Sequence, residues 1–130
     1  RYQQIRNAIK IGQCKVTAPR AFETELMQKT FGKKGLYQNI LEENGQNILD
    51  SICPDELQQK LPLIYEELLK LPDAEKMRET LNAAGCVTTM AEIGLPDSLK
   101  DLTLQLCPYV RRRLTLLRLS KMLEYPAEIL

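Results

Sequence analysis

The chain has 130 residues, which is enough for one compact domain with a core and too few for two. Its 18 basic and 17 acidic residues leave a net charge of +1, which argues against a nucleic-acid-binding protein held by bulk charge. Histidine is absent, which excludes Ser-His-Asp catalysis, Cys-His catalysis and histidine-ligated metal sites within these residues.

The four cysteines lie far apart and lack the Cys-x-x-Cys spacing of metal and redox sites: Cys14, Cys53, Cys86 and Cys107. We therefore expect free, buried thiols in a reducing compartment, the cytoplasm. No segment approaches the roughly 18 uninterrupted apolar residues of a membrane span, and no signal peptide opens the chain. Because the chain begins at Arg1 without Met, we expect a processed, truncated or excised piece.

Apolar residues at helical spacing predict several helices in the first part of the chain. Gly12 stops the first one, and Thr17 and Pro19 supply a cap and a first-turn proline for the second. One or two further helical turns are predicted after the third helix. The predicted ranges are residues 2–11, about 19–31 and about 36–44.

Pro54-Asp55-Glu56 is an acidic helix start with proline near the first position. The most regular amphipathic stripe of the chain follows it at steps of four and three: Leu57, Leu61, Ile64, Leu68 and Leu71. Pro62 lies inside this stripe, so we expect a kink or a restart near Leu61. Because the stripe stays in phase across Pro62, both halves should face one core.

A second acid-started helix opens at Pro72-Asp73 and should end at Gly85, a natural residue to follow a helix. Its inward face is predicted to hold Met77, Leu81 and Ala84. The Ser/Thr-x-x-Glu pattern from Thr89 to Glu92 then predicts a capping box and a short helix. Another helix runs from Pro96 to Pro108. The fold class is therefore all-α, a multi-helix bundle that forms a single domain over residues 1–130.

The stretch CPYVRRRLTLLRLSKML, residues 107–123, is predicted to form one long terminal helix. At about 100° per residue, its apolar side chains gather on two nearly opposite faces, so we expect it to lie between two layers. One face holds Val110, Leu114 and Leu117, and the other holds Leu116, Leu119 and Leu123.

Three adjacent arginines cannot share one face of that helix. Arg111 falls with Arg118 on a polar sector and should be solvated, whereas Arg112 and Arg113 point between apolar residues. An arginine in an apolar sector must find a carboxylate, a carbonyl or a phosphate. Three alternatives stay open: an ion pair within the domain, a contact to another domain, subunit or phosphorylated ligand, and a nucleic-acid patch.

Three segments near the end of the chain match a family pattern in order and spacing. They are the turn Ala84-Gly85-Cys86, the short Thr-x-x-Glu-Ile-Gly helix of residues 89–94, and VRRRLTLL at residues 110–117. On these segments the chain resembles the C-terminal end of the sn-glycerol-1-phosphate dehydrogenase family, within the iron-containing alcohol dehydrogenase and glycerol dehydrogenase superfamily. The resemblance covers residues 81–123, and FETELMQKTFG (22–32) is similar to an upstream helix of that family.

The resemblance implies a two-domain oxidoreductase, in which an α/β dinucleotide-binding domain precedes a dehydroquinate-synthase-like helical domain. Such enzymes reduce dihydroxyacetone phosphate or oxidise glycerol-like alcohols with NAD(P) and a divalent metal (Zn, Ni or Fe), which is held by an aspartate and two histidines. The family's Gly-Gly-Gly cofactor loop and the histidines are missing here, so the resemblance places them upstream of Arg1. No catalytic, cofactor-binding or metal residue is assigned, and the chain by itself should be inactive. The implied partner is the upstream domain, with a homo-oligomer kept open and neither nucleic acid nor membrane expected.

Arg111, Arg113 and Thr115 match the family signature and are assigned as structural or cleft-lining residues. Arg112 lies in the same signature but stands where the family usually has Asp. Leu114 replaces a usual aromatic residue and Val87 a usual proline, which indicates a divergent member.

Two other functions stay open. The absence of histidine and the two apolar faces of the terminal helix favour a non-enzymatic helical protein-interaction module. Binding of a phosphorylated ligand through the arginine run is the third hypothesis, under which Arg112→Ala and Arg113→Ala abolish stabilisation by the ligand.

Overall fold

A computed structural model describes residues 1–129, without the side chain of Lys34. The chain is mostly helical, as predicted. The α-helices are α1 (Tyr2–Lys10), α2 (Thr24–Phe31), α3 (Leu36–Glu43), α4 (Pro54–Leu69), α5 (Ala74–Ala83), α6 (Leu99–Leu106) and α7 (Leu116–Leu119). Short 3₁₀ helices cover Gly32–Lys34, Ile48–Ser51, Ala91–Ile93, Cys107–Tyr109 and Ser120–Met122. Two-residue strands are β1 (Lys15–Val16) and β2 (Leu123–Glu124).

The larger of two hydrophobic cores forms where α1 packs against α4. Ile5 and Ala8 of α1 are fully buried, and α4 contributes the predicted stripe through Leu57, Leu61 and Leu68. Leu71 departs from the prediction. It lies beyond the end of α4 and is 40% exposed, so the stripe ends with the helix.

Pro62 does not divide α4, so of the two outcomes predicted near Leu61, a kink or a restart, the restart is wrong. Proline removes one backbone donor from the helix interior and crowds the preceding turn. Packing of both halves on the same core holds the helix together in spite of that cost. Gln58 lies in the turn before Pro62 and contacts a different segment. Its side chain accepts a hydrogen bond from the Val16 backbone N–H (2.7 Å).

The ends of the chain meet in a small antiparallel sheet that the sequence did not indicate. Lys15 pairs with Glu124 and Val16 with Leu123. The contact continues past the strands, because the Thr17 N–H donates to the Met122 carbonyl at 2.8 Å. Residues 17–20 therefore run beside the C-terminal segment, and the helix predicted from residue 19 begins at Thr24 instead.

The smaller core lies under α2, α3 and α6. Four residues from separate parts of the chain are buried in it: Met27, Ile40, Leu106 and Tyr109. Phe22, Leu26, Phe31, Tyr37 and Leu102 pack around them. The predicted helices over residues 36–44 and after Pro96 are confirmed by α3 and α6.

Residues 72–98, which we call the arm, leave most of their surface exposed. The prediction that α5 has a buried face is wrong, because no residue of α5 is buried and Leu81 is 40% exposed. The base of the arm is fixed by an ion pair between Arg6 and Asp73 (2.5 Å) and by a hydrogen bond from the Tyr2 hydroxyl to the Pro72 carbonyl (2.5 Å).

The turn chemistry predicted within the arm is confirmed. Gly85 follows α5 with a φ of 74°, a left-handed conformation that favours glycine. The Glu92 carboxylate accepts hydrogen bonds from the backbone N–H groups of Thr88 (2.7 Å) and Thr89 (2.8 Å). The Glu92 N–H donates in turn to the Thr89 hydroxyl, at 3.3 Å, so the capping box closes a single 3₁₀ turn.

The long terminal helix predicted over residues 107–123 is wrong. After the 3₁₀ turn at Cys107–Tyr109, residues 110–115 are not helical, and α7 is a single turn. Thr115 has an extended backbone (φ −110°, ψ 163°) and starts α7 as its N-cap. Leu123 leaves the helical conformation because it pairs with Val16.

None of the helices within residues 1–129 has the length and apolar character that crossing a lipid bilayer requires.

Candidate functional site

The predicted signature arginines lie on the surface. Arg111, Arg112 and Arg113 are all exposed. The solvated position predicted for Arg111 is confirmed, whereas the apolar positions predicted for Arg112 and Arg113 are wrong. Helical angles do not apply here because these residues belong to a loop, in which the Arg113 N–H donates to the Arg111 carbonyl (2.9 Å).

Glu43, at the end of α3, holds this loop. Its carboxylate accepts hydrogen bonds from the Arg112 backbone N–H (3.3 Å) and from Arg111 Nη1 (3.1 Å). The Arg112 N–H, followed by the Arg111 guanidinium, holds the pKa of Glu43 below its usual value. Arg111 therefore forms an ion pair within the domain, although the alternatives kept open above concerned Arg112 and Arg113. The side chains of Arg112 and Arg113 form no hydrogen bond or ion pair within residues 1–129.

Thr115, assigned from the sequence as structural or cleft-lining, makes a local capping contact. Its hydroxyl oxygen accepts a hydrogen bond from the Arg118 N–H (3.1 Å) and so caps α7. This cap fixes the start of the turn that carries Arg118.

Arg118 is fully buried, although its position in the sequence predicted a polar sector. Its guanidinium donates to the Pro108 carbonyl (3.0 Å) and to the Asn47 side-chain oxygen (3.1 Å). No carboxylate forms an ion pair with it among the described residues. Burial lowers the pKa of Arg118 from its usual value, but guanidinium groups stay protonated in proteins, so a cation lies inside the smaller core.

Two aromatic rings take the place of a carboxylate beside Arg118. The guanidinium carbon lies 4.6 Å from the centre of the Tyr109 ring and 5.3 Å from that of Phe22. The two rings meet edge to face, with centres 5.3 Å apart. Desolvated cation–π contacts of this kind contribute on the order of 2 kcal/mol.

Lys121 brings a second cation to the same cluster. Its ammonium group lies 5.3 Å from the centre of the Tyr109 ring and 3.1 Å from Glu23 Oε1. The other oxygen of Glu23 accepts a hydrogen bond from the Gln105 amide. Burial, and then the charge of Glu23, raises the pKa of Tyr109, so this phenol stays neutral at ordinary pH.

Among the residues that the structure describes, three polar atoms in and beside this cluster are buried without a hydrogen-bond partner: Arg118 Nε, the Tyr109 hydroxyl and the Asn44 side-chain oxygen. Each such group costs about 1–3 kcal/mol. The Asn44 amide nitrogen, in contrast, donates to the carbonyls of Tyr109 (2.7 Å) and Ile40 (2.8 Å). The smaller core is therefore specified by polar and cation–π contacts rather than by apolar volume alone.

An open groove of about 460 Å³ lies between residues 20–23, α6 and residues 117–127. Its charged lining is balanced, with three basic side chains (Arg1, Arg20 and Lys121) and three acidic ones (Glu23, Asp101 and Glu124). The signature residues Arg111, Arg112, Arg113 and Thr115 do not line this groove, so their predicted cleft-lining role does not apply to it.

The groove can bind polar and charged groups, but it holds no nucleophile activated by a base. Within residues 1–129, no three side chains of the metal-binding types lie together. All four cysteines are free, as predicted, but only Cys14 is buried. Burial raises the pKa of Cys14 and of Cys107, which keeps both thiols protonated and weakly nucleophilic.

The residues at the centre of this site were not identified from the sequence. A single helix over residues 107–123 places Arg118 on a polar sector, and that helix does not form. One signal pointed the other way, because Thr115 is a residue type that starts a helix. The contact with Phe22 depends on the tertiary fold, and no local pattern reveals it.

A scan against protein-family models, a search of curated proteins and a search of solved structures each found no match to this chain.

Proposed function

We propose that this chain is the helical, substrate-side domain of an NAD(P)- and metal-dependent dehydrogenase that acts on glycerol 1-phosphate or a related polyol. One observation carries the proposal: three family-like segments follow one another in the expected order between Ala84 and Leu117. The mostly helical fold and the closed Thr89–Glu92 capping box are compatible with it.

The described residues do not fit the metal and the cofactor that such an enzyme needs. They contain no cluster of metal-binding side chains, and the chain has neither histidine nor a Gly-Gly-Gly loop. In this proposal the redox chemistry belongs to an upstream dinucleotide-binding domain, and no chemical step is assigned to this chain.

The contribution of this domain would be to bind the phosphate of the substrate in the groove. The Arg20 side chain is exposed and forms no ion pair within residues 1–129, so it is available to an anion. The Lys121 ammonium is held in place by Glu23 and by the Tyr109 ring. Two cations in one groove suit a phosphate group, because charge-assisted hydrogen bonds to phosphate are short and strong.

The test is to express the whole reading frame that encodes this chain and to assay NAD(P)H-dependent reduction of dihydroxyacetone phosphate. Arg20→Ala should raise KM for dihydroxyacetone phosphate about tenfold, the loss of one charge-assisted contact. It should leave KM for unphosphorylated dihydroxyacetone unchanged. Arg113→Ala removes an exposed arginine outside the groove and is the matched control.

A reading frame without a Gly-rich dinucleotide loop and two histidines upstream of Arg1 would end this proposal. Equal effects of Arg20→Ala on both substrates would remove the phosphate-binding role of the groove and leave the family proposal standing.

A non-enzymatic helical interaction module is the second candidate, and the exposed surface of the chain favours it. The chain exposes 8922 Å², whereas a compact monomer of 14.9 kDa exposes about 7,000 Å². A reading frame that encodes no dehydrogenase domain would favour this candidate, and NAD(P)H-dependent activity of the whole protein would exclude it.

A further inference from the structure

The arm exposes large apolar residues that no other part of the described chain covers. Four of its large apolar residues are at least 40% exposed: Leu81, Val87, Ile93 and Leu95. The surface of the chain exceeds that of a compact monomer by about 1,900 Å², and a typical stable complex buries about 800 Å² on each partner.

The arm is also acidic. Residues 74–97 carry four acidic and two basic side chains, a net charge of −2. Glu75 and Glu79 lie in α5 and are exposed. The exposed apolar surface of the arm is therefore accompanied by negative charge.

A complementary surface lies elsewhere in the same chain. Residues 110–114, which we call the basic loop, carry three exposed arginines and no acidic side chain. The loop begins and ends with exposed apolar residues, Val110 (42%) and Leu114 (55%). It thus combines positive charge with apolar surface, as the arm combines negative charge with apolar surface.

The two surfaces adjoin opposite ends of α6. The arm ends at Ser98 and α6 follows at once, whereas the basic loop begins after the 3₁₀ turn that follows α6. Eight helical residues span about 12 Å. If two copies set their α6 helices side by side and antiparallel, the arm of each copy meets the basic loop of the other.

We propose that this chain forms a two-fold symmetric dimer in which the arm of each copy docks on the basic loop of its partner. A two-fold arrangement makes the same contact twice and leaves no complementary surface open. The exposed arginines face the acids of the second copy, and the exposed leucines and valines of both surfaces become buried. The proposal holds whether or not the chain belongs to a dehydrogenase.

Sedimentation velocity of the 130-residue chain over a range of concentrations tests the dimer. A dimer should form at low ionic strength and weaken as salt increases, because salt screens exposed charges. The variant Arg112→Glu/Arg113→Glu reverses two side chains without ion-pair partners in the described residues. It should raise the dimer dissociation constant at least tenfold. Lys29→Glu/Lys33→Glu makes the same charge change on exposed residues elsewhere and should have little effect.

A charge exchange identifies the two surfaces. The variant Glu75→Lys/Glu79→Lys makes the arm basic and should also lose the homodimer. Mixing it with Arg112→Glu/Arg113→Glu should restore association as a heterodimer, because both contacts then join opposite charges. Far-UV circular dichroism checks that each variant is folded. If Arg112→Glu/Arg113→Glu does not fold, Glu75→Lys/Glu79→Lys alone still tests the dimer, since this second variant should be monomeric.

Three outcomes would overturn the proposal: a monomer at every concentration, a dimer that both reversals leave unchanged, or two reversed variants that stay monomeric when mixed. None of these outcomes bears on the dehydrogenase proposal, whose test is the activity of the whole reading frame.

Discussion

α4 and α5 have similar sequences in physical terms but different surroundings. Both begin next to a proline and acidic residues, and both carry apolar residues at helical spacing. α4 buries Leu57, Leu61 and Leu68 against α1, whereas α5 buries no residue. An amphipathic pattern therefore predicts that a helix forms, but it does not show that the same chain supplies the surface that covers it.

The largest difference should appear when one leucine is shortened in each helix. Leu61→Ala should lower the free energy of unfolding by about 2–5 kcal/mol, because Leu61 is 4% exposed and its loss leaves a cavity. Leu81→Ala, in the arm, should lower it by less than about 0.5 kcal/mol in the monomer. Urea unfolding at low protein concentration measures both. Similar losses for the two variants would show that the arm is packed.

A buried and an exposed arginine, Arg118 and Arg78, give a second comparison of the core with the arm. Arg118→Ala should lower the free energy of unfolding by about 2 kcal/mol, since it removes two cation–π contacts and leaves the Pro108 carbonyl unpaired. The removal of a buried charge offsets part of that loss. Arg78→Ala, at an exposed position of α5, should change it by no more than about 0.5 kcal/mol. Thermal unfolding followed by circular dichroism is a suitable measurement, and an unchanged stability in Arg118→Ala would contradict the role assigned to this residue.

Helix caps offer a third comparison, with a smaller effect. Thr115→Ala should cost about 1 kcal/mol of global stability, because Thr115 caps the turn that positions Arg118. Thr89→Ala breaks the capping box of the arm and should speed amide exchange at residues 88–94 with little effect on global unfolding. Hydrogen exchange distinguishes the global loss expected for Thr115→Ala from the local opening expected for Thr89→Ala. A global loss in Thr89→Ala would mean that the arm unfolds together with the rest of the molecule.

The smallest effect should depend on pH. The pKa of Glu43 is lowered in the folded state, chiefly by the Arg112 N–H, so its ionised form stabilises the fold above the usual glutamate pKa of about 4.5. That contribution is lost as the pH falls through the lowered value. Glu43→Gln should therefore reduce the melting temperature slightly at pH 7, and the difference from the unchanged chain should vanish in acid. A difference that grows as the pH falls would contradict this assignment.

In the arm, the backbone N–H groups of Thr88 and then Thr89 lower the pKa of Glu92. As for Glu43, the ionised form of Glu92 is the stabilising one, and its contribution is lost as the pH falls through the lowered pKa. We expect the ionisation of Glu92 to protect the local turn rather than the whole fold, and an NMR titration of both carboxyl groups with amide exchange would separate the two effects.

Local chemistry in the sequence was sufficient for α1, α3, the start of α4, the glycine after α5 and the capping box at Thr89. Each of these features depends on residues within one or two turns of one another. The mostly helical class followed from the same signals. The sequence was not sufficient for the terminal segment, where a leucine-rich periodicity matched a helix but residues 110–115 form a loop and Leu123 pairs with Val16.

The candidate site was harder to predict than the fold. Arg111 and Thr115 were assigned from the sequence as structural or cleft-lining residues, but the contact of Arg111 with Glu43 was not predicted, because the two segments meet only in the tertiary structure. Arg118 shows the limit most directly. An arginine inside a core is rare, and its burial here depends on Phe22, Asn47 and Pro108 at once.

The small sheet has a consequence for how the polypeptide acquires its fold during synthesis. Thr17 and Met122 are 105 residues apart in the chain, yet they contact each other in the finished molecule. Local helices such as α1 and α4 can form while translation continues, but the larger core stays open until Met122 and Leu123 have left the ribosome. Residues translated 105 positions after Thr17 therefore complete a core that also contains Ile5 and Leu57, and until then these two side chains are accessible to chaperones.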